Sequence, residues 1–188
     1  MKDLQDSLIL VNSDDQITGF ASKEEAHRGH GMTHRAFSIF LFDADDNLLL
    51  HERSQEKPLW PGFWTNSCCS HPRRGEDILT AANRRLYEEL GVRAALQYIY
   101  KFSYQAKYLD IGSENEKCSV FLARIGKDEQ LNINPQEISD IKWMTLADID
   151  GWVSSEFEFF TPWFLLEWRA LGGEYSNRVS DFLKSSNT

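Results

Sequence analysis

Glu76-Asp77-Ile78-Leu79-Thr80-Ala81-Ala82-Asn83-Arg84-Arg85-Leu86-Tyr87-Glu88-Glu89-Leu90-Gly91-Val92 combines an apolar repeat with a dense run of arginines and glutamates. Ile78, Ala82, Leu86 and Leu90 recur every four residues, which predicts one buried stripe of a helix over Glu76–Leu90. Gly91 follows as a natural terminator, because helix ends favour a residue that tolerates the left-handed conformation. Arg84, Arg85, Glu88 and Glu89 fall on other faces. Charge runs of this kind usually mean a solvated face, so the flanking residues must say whether this one carries chemistry.

Just upstream, Trp60-Pro61-Gly62-Phe63-Trp64-Thr65-Asn66-Ser67-Cys68-Cys69-Ser70-His71 combines an electron-rich ring wall, two thiols and an imidazole. It reads as a loop, with Trp60 to Trp64 as a dry wall, followed by a strand from Trp64 to Cys69. Adjacent residues on a strand face opposite sides. Cys69 shares a face with His71 and is the reactive candidate, while Cys68 takes the ordinary packing role of a buried cysteine.

Farther out, Leu8–Val11 and Gln16–Phe20 read as strands around the turn Asn12–Asp15. Ser22-Lys23-Glu24-Glu25 has capping-box spacing and starts a short helix with Lys23 and His27 on one face, ended by Gly29 and Gly31. His34–Asp43 is apolar on both faces and predicts a central strand. A hairpin turn at Asp43–Asn47 leads to its partner, Leu48–Arg53. Further strands are predicted over residues 98–108, 117–125 and 137–144, with Glu114-Asn115-Glu116 leading into the second. Helices follow over Leu146–Trp152, from Thr161-Pro162 onward, and over Ser176–Lys184. The pattern predicts one α+β domain over residues 1–188, a mixed β-sheet core flanked by helices.

The 188-residue chain carries a net charge of -9, which argues against nucleic-acid and anionic-membrane partners. An anionic substrate would then need a local cationic patch or a metal ion. Three cysteines, two of them adjacent, make a poor disulfide framework and suit a reducing compartment. The amino-terminal apolar run is too short for a signal peptide or membrane span, so a cytoplasmic protein is expected. The choice between monomer and homodimer stays open.

His27, His34 and His71, with Glu114 and Glu116 two apart on one strand face, could form a closed nitrogen-and-oxygen site. That donor mixture suits Zn²⁺ or Mn²⁺ better than Ca²⁺.

The helix and its approach resemble the Nudix box, Gly-x5-Glu-x7-Arg-Glu-apolar-x-Glu-Glu-x-Gly-apolar. Glu76, Arg84, Leu86, Glu88, Glu89, Gly91 and Val92 match it, while Ser70 replaces the first Gly and Arg85 replaces a Glu. The helical glutamates of that family hold divalent metal on a diphosphate, so Arg85 removes one hydrolase ligand. With the Thr65-Asn66-Ser67-Cys68-Cys69-Ser70-His71-Pro72 segment upstream and Glu114-Asn115-Glu116 downstream, the chain is similar to the type 1 isopentenyl-diphosphate isomerases, over a core of about residues 27–165.

This resemblance implies a Nudix-like fold and interconversion of isopentenyl and dimethylallyl diphosphates. It implies that Cys69 and Glu116 are the two acid/base groups. His27, His34, His71, Glu114 and Glu116 would bind one divalent metal, Mn²⁺, Zn²⁺ or Mg²⁺. Glu89 would bind a Mg²⁺ bridging to the diphosphate. Lys23, Arg53, Lys57 and Arg85 would contact that diphosphate, with Tyr104 beside the carboxylate and Trp163 facing the hydrocarbon. Moving an unactivated double bond through a carbocation requires such a set: two proton-transfer groups, ring faces for the cation and exclusion of water. Two other readings compete, a Nudix pyrophosphohydrolase and a non-catalytic, metal-stabilised binding module.

Overall fold

Residues 7–185 are described in a computed structural model of the chain. Among them nine strands join one mixed sheet: β1 (Leu8–Val11), β2 (Ile17–Ala21), β3 (His34–Phe42), β4 (Leu48–Arg53), β5 (Trp64–Thr65), β6 (Cys68–Ser70), β7 (Gln97–Tyr108), β8 (Gly112–Arg124) and β9 (Ile138–Met144). Five α-helices accompany them: α1 (Lys23–His27), α2 (Ile78–Leu90), α3 (Leu146–Glu156), α4 (Pro162–Gly172) and α5 (Ser176–Lys184). The first six residues, part of the stretch read as too short for a leader, lie outside the described region.

β3 is central, as its two apolar faces predict. Phe37, Ile39 and Leu41 pack with Leu86 and Leu90 of α2 in one core. Ala36, Phe40 and Phe42 face the other core, with Phe164 of α4 and Phe182 of α5. A strand buried on both sides is apolar on both faces over most of its length, which is why alternation is lost there. The capping box of α1 forms in full, with Ser22 accepting from Glu25 N and the Glu25 carboxylate accepting from Ser22 N.

Three expectations need correction. The helix carrying the charged run starts at Ile78, because Asp77 caps it by accepting from Leu79 N and Thr80 N; Glu76 lies before it. The hairpin turn forms, yet β3 and β4 pair only at Phe42↔Leu48. β3 instead runs parallel to β8, and β4 runs antiparallel to β9. The third correction explains the second: the expected continuous strand over Trp64–Cys69 is broken at Asn66-Ser67. β5 pairs with β4 and β6 with β3, so the segment crosses between them as a wedge. Its fully buried polar residues hold it there by serving backbone groups that pairing leaves unsatisfied. Ser67 Oγ accepts from Leu41 N and donates to Leu49 O, and Asn66 Nδ2 donates to Ile39 O and Cys68 O.

Candidate active site

The wedge sets the two cysteines. Cys68 is buried in the α2 core, and Cys69, the register partner of Ser38, turns to the opposite face. Cys69 lines a small chamber of about 30 Å³ with His71, Tyr104, Glu114, Glu116 and Trp163. The chamber shares Lys23, Arg53, Lys57 and Glu114 with a wider vestibule of about 460 Å³, whose wall also includes Arg28 and Leu59. The polar chemistry predicted from sequence therefore meets at one place, with three of the four expected cations at its mouth.

His27, His34, His71, Glu114 and Glu116 converge, with one ligand atom from each lying within 4.8 Å of all the others. Four segments bring them: His27 ends α1, His34 opens β3, Glu114 and Glu116 lie on β8 beside it, and His71 follows β6. Nδ1 of His27 donates to Lys23 O, and Nδ1 of His34 donates to Met32 O at 2.7 Å. These bonds set the tautomer that leaves each Nε2 lone pair facing inward, the usual arrangement around a metal. Nε2 of His27, Nε2 of His34 and Oε2 of Glu114 are buried without a hydrogen-bond partner. His27 Nε2 approaches Glu114 Oε2 to 2.7 Å, but out of line for a hydrogen bond. Orphaned donor atoms aimed at one point fit a divalent cation, because buried polar groups otherwise find partners.

Glu116 is held from both sides. His71 Nε2 lies 2.8 Å from its Oε1, and the Tyr104 hydroxyl donates to its Oε2 at 2.8 Å. Burial works against its charged form, and the Tyr104 hydrogen bond favours that form. Cys69 is different. Burial pushes its thiol up to about 12 against the pull of Arg53, so it is protonated at neutral pH. Arg53 donates to Trp60 O and Leu59 O, lies 3.9 Å from Cys69 Sγ and stacks its guanidinium 5.1 Å from the Trp163 ring centre.

Some residues depart from the sequence reading. Trp60 meets Trp163 edge-on at 5.3 Å and serves the ring wall, whereas Trp64 packs on Trp152 with Lys142 above it. Arg85 and Glu89 do not line the chamber. Glu89 is buried, and Arg85 bonds Glu88, Glu89 and Glu137. Arg84 and Glu76, two matched box positions, form a paired bridge that ties the start of the box to the helix. His51 is structural: it donates to Ser67 O, and burial lowers its pKa to about 3. Sequence reasoning missed Glu137, Glu167, Ser38 and Cys118. Glu137 stood at the start of a strand with nothing local to mark it. Glu167, on the face of α4 that carries Trp163, is fully buried beside Cys118. A glutamate at the apolar spacing of that helix was the available signal.

Residues 32–164 match the NUDIX domain. The chain is 39% identical over 165 residues to isopentenyl-diphosphate Delta-isomerase 1 of Photorhabdus laumondii, covering 87% of this chain and 93% of that protein. It is 39% identical over 176 residues to the isopentenyl-diphosphate Delta-isomerase of Serratia proteamaculans, covering 93% and 96%. Among solved structures, DR0079 from Deinococcus radiodurans superposes with a TM-score of 0.64 at 23% identity, covering 80% of this chain and 90% of that one. A MutT protein from Methanosarcina mazei superposes with a TM-score of 0.58 at 14% identity, covering 72% and 89%. At these identities the two structures speak to the fold alone.

Proposed function

The chain belongs to the isopentenyl-diphosphate Delta-isomerases of the NUDIX family and is an isomerase, and on that premise we propose how its chamber interconverts isopentenyl and dimethylallyl diphosphates. The observation that carries the reading is the presence of Cys69 and Glu116 on the wall of one small chamber that Trp163 and Tyr104 also line. The reaction adds a proton at one carbon of the allylic unit and removes one from another. Cys69 and Glu116 are the two exchange groups, one delivering and the other removing a proton. Tyr104 fixes the orientation of Glu116 through its hydrogen bond. Trp163 presents a ring face to the developing cation, and substrate filling the narrow chamber keeps water from trapping it.

Lys23, Arg53 and Lys57 receive the diphosphate at the chamber mouth, and Arg85 is tied to Lys57 through Glu137. Remote binding energy of this kind positions the reacting carbons. The five-residue cluster would hold a divalent cation, Mn²⁺, Zn²⁺ or Mg²⁺, which supplies positive charge next to Glu116 and so makes it the stronger acid. Glu89 would hold the Mg²⁺ that neutralises the diphosphate. No helix among the described residues is long and apolar enough to cross a membrane. The net charge of -9 supports a protein that binds no nucleic acid. Incubating purified protein with isopentenyl diphosphate and Mg²⁺ tests the reading: the dimethylallyl isomer is expected. Phosphate release from nucleoside diphosphates without isomerised product would overturn it in favour of a pyrophosphohydrolase.

A further inference from the structure

Glu137 lies just before β9, outside every motif, and its carboxylate is shared between two cations from distant parts of the chain. Oε1 accepts from Arg85 Nη2 of α2 at 2.6 Å, and Oε2 accepts from Lys57 Nζ in the loop after β4. All three side chains are largely withdrawn from solvent: 19% exposed for Glu137, 16% for Arg85 and 14% for Lys57. Burial pushes the Glu137 pKa up, but Lys57 and Arg85 together bring it down to about 2, so it is ionised throughout the working range.

The backbone around Glu137 is anchored on both sides. Ser54 N donates to Glu137 O beside β4, while Asn132 N and Asn134 N donate to Leu90 O and Glu89 O at the end of α2. The carboxylate therefore sits on a braced loop between the helix and the vestibule. Lys57 lines both chamber and vestibule. A lysine has a flexible stem with rotamer entropy to lose, so a free Lys57 would reach an anion poorly. Arg85 bonds Glu88 and Glu89 on its own helix, and the Nη2 that donates to Glu89 also donates to Glu137, which joins the helix to Lys57.

Resting on the isomerase reading above, we propose that Glu137 is a positioning residue, gripping Lys57 and Arg85 together so that both cations are preset for the diphosphate of the substrate. An ordinary structural ion pair predicts something else. Removing a carboxylate from beside an anion site would by itself tighten anion binding, so the sign of the effect separates the two ideas.

The test compares Glu137→Gln and Glu137→Asp with wild type in the full chain. It measures KM and kcat for isopentenyl diphosphate with Mg²⁺, Tm, and calorimetric binding of inorganic pyrophosphate with Mg²⁺. Glu137→Gln is expected to raise both KM and the pyrophosphate Kd about 10-fold, the loss of one charge-assisted arrangement. kcat should change by less than about threefold, because the carboxylate does not touch the reacting carbons. Glu137→Asp, which keeps the charge, should recover part of the loss. Unchanged or tighter pyrophosphate binding in Glu137→Gln overturns the proposal, as does a lower Tm with KM unmoved. If wild type fails to isomerise yet pyrophosphate binding weakens as stated, the isomerase reading falls and the role of Glu137 in gripping the cations stands.

Discussion

His34 and Glu116 are register partners in the parallel pair of β3 and β8. That pairing, set by the apolar faces of both strands, places an imidazole and a carboxylate side by side at the open end of the sheet. Glu114, two residues earlier on β8, lands on the same side, and α1 delivers His27 to it. One strand register thus builds most of the polar cluster.

Replacing His34 with Ala should strip the cluster of its cation. Metal content measured by atomic emission after purification is expected to fall well below one per chain. Tm should fall by about 3 °C or more, since a bound ion stabilises only the folded state. Full metal occupancy in His34→Ala would show that the cluster is not the binding site. Chelation of wild type followed by readdition of Mn²⁺, Zn²⁺ or Mg²⁺ should remove and restore activity.

Cys69→Ala and Glu116→Gln should each lower kcat by about 100- to 10,000-fold, the usual worth of a positioned proton-transfer group. Circular dichroism should remain native for Cys69→Ala, because the wedge is held by Asn66 and Ser67 and not by the thiol. Near wild-type turnover in either variant would refute the two-group mechanism. Cys68→Ala, on the other face, should retain turnover.

Arg85→Glu would set a fourth carboxylate beside Glu88, Glu89 and Glu137. It should destabilise the fold by about 3–5 kcal/mol, as breaking a largely buried charge network does. Arg85→Lys is the better probe of phosphate contact: it keeps the charge and loses the planar fork. KM for the diphosphate should rise with kcat little changed, and an unaltered KM would remove Arg85 from the substrate site.

Glu167 gives a pH signature. Burial raises its pKa from the ordinary 4.5 to about 8, against hydrogen bonds to Ser38 and Cys118. A folded value above the unfolded one means that the folded state holds the proton more tightly. The stability so gained is complete below the ordinary glutamate range and is lost as pH rises toward about 8. Thermal melts from pH 5 to pH 8 should therefore show a steeper loss of Tm in wild type than in Glu167→Gln. Parallel curves would show that Glu167 does not titrate in this window.

Much of this protein was legible locally. The capping box at Ser22, the helix ending at Gly91 and the opposed cysteines all follow from chain periodicity and cap chemistry, which act over a few residues. The family motifs also single out Cys69 and Glu116, which the structure brings to one chamber. The start of α2 was misplaced by two residues because Glu76 and Asp77 are both plausible leading acids, and only the contact with Arg84 shows what Glu76 does.

The sequence by itself determined which residue types were available and which face of its own element each would take: Cys69 with His71, Glu114 with Glu116, and the two apolar faces of β3. Tertiary structure decided who meets whom. The splitting of β3 from β4 by the Asn66-Ser67 wedge, the choice of Trp60 over Trp64 for the chamber wall, and the grip of Glu137 on Lys57 and Arg85 all join residues far apart in the chain. Side-chain periodicity is local, whereas strand register and the closing of charge pairs depend on how whole elements bury their surfaces against one another. No short pattern in the chain carries that information.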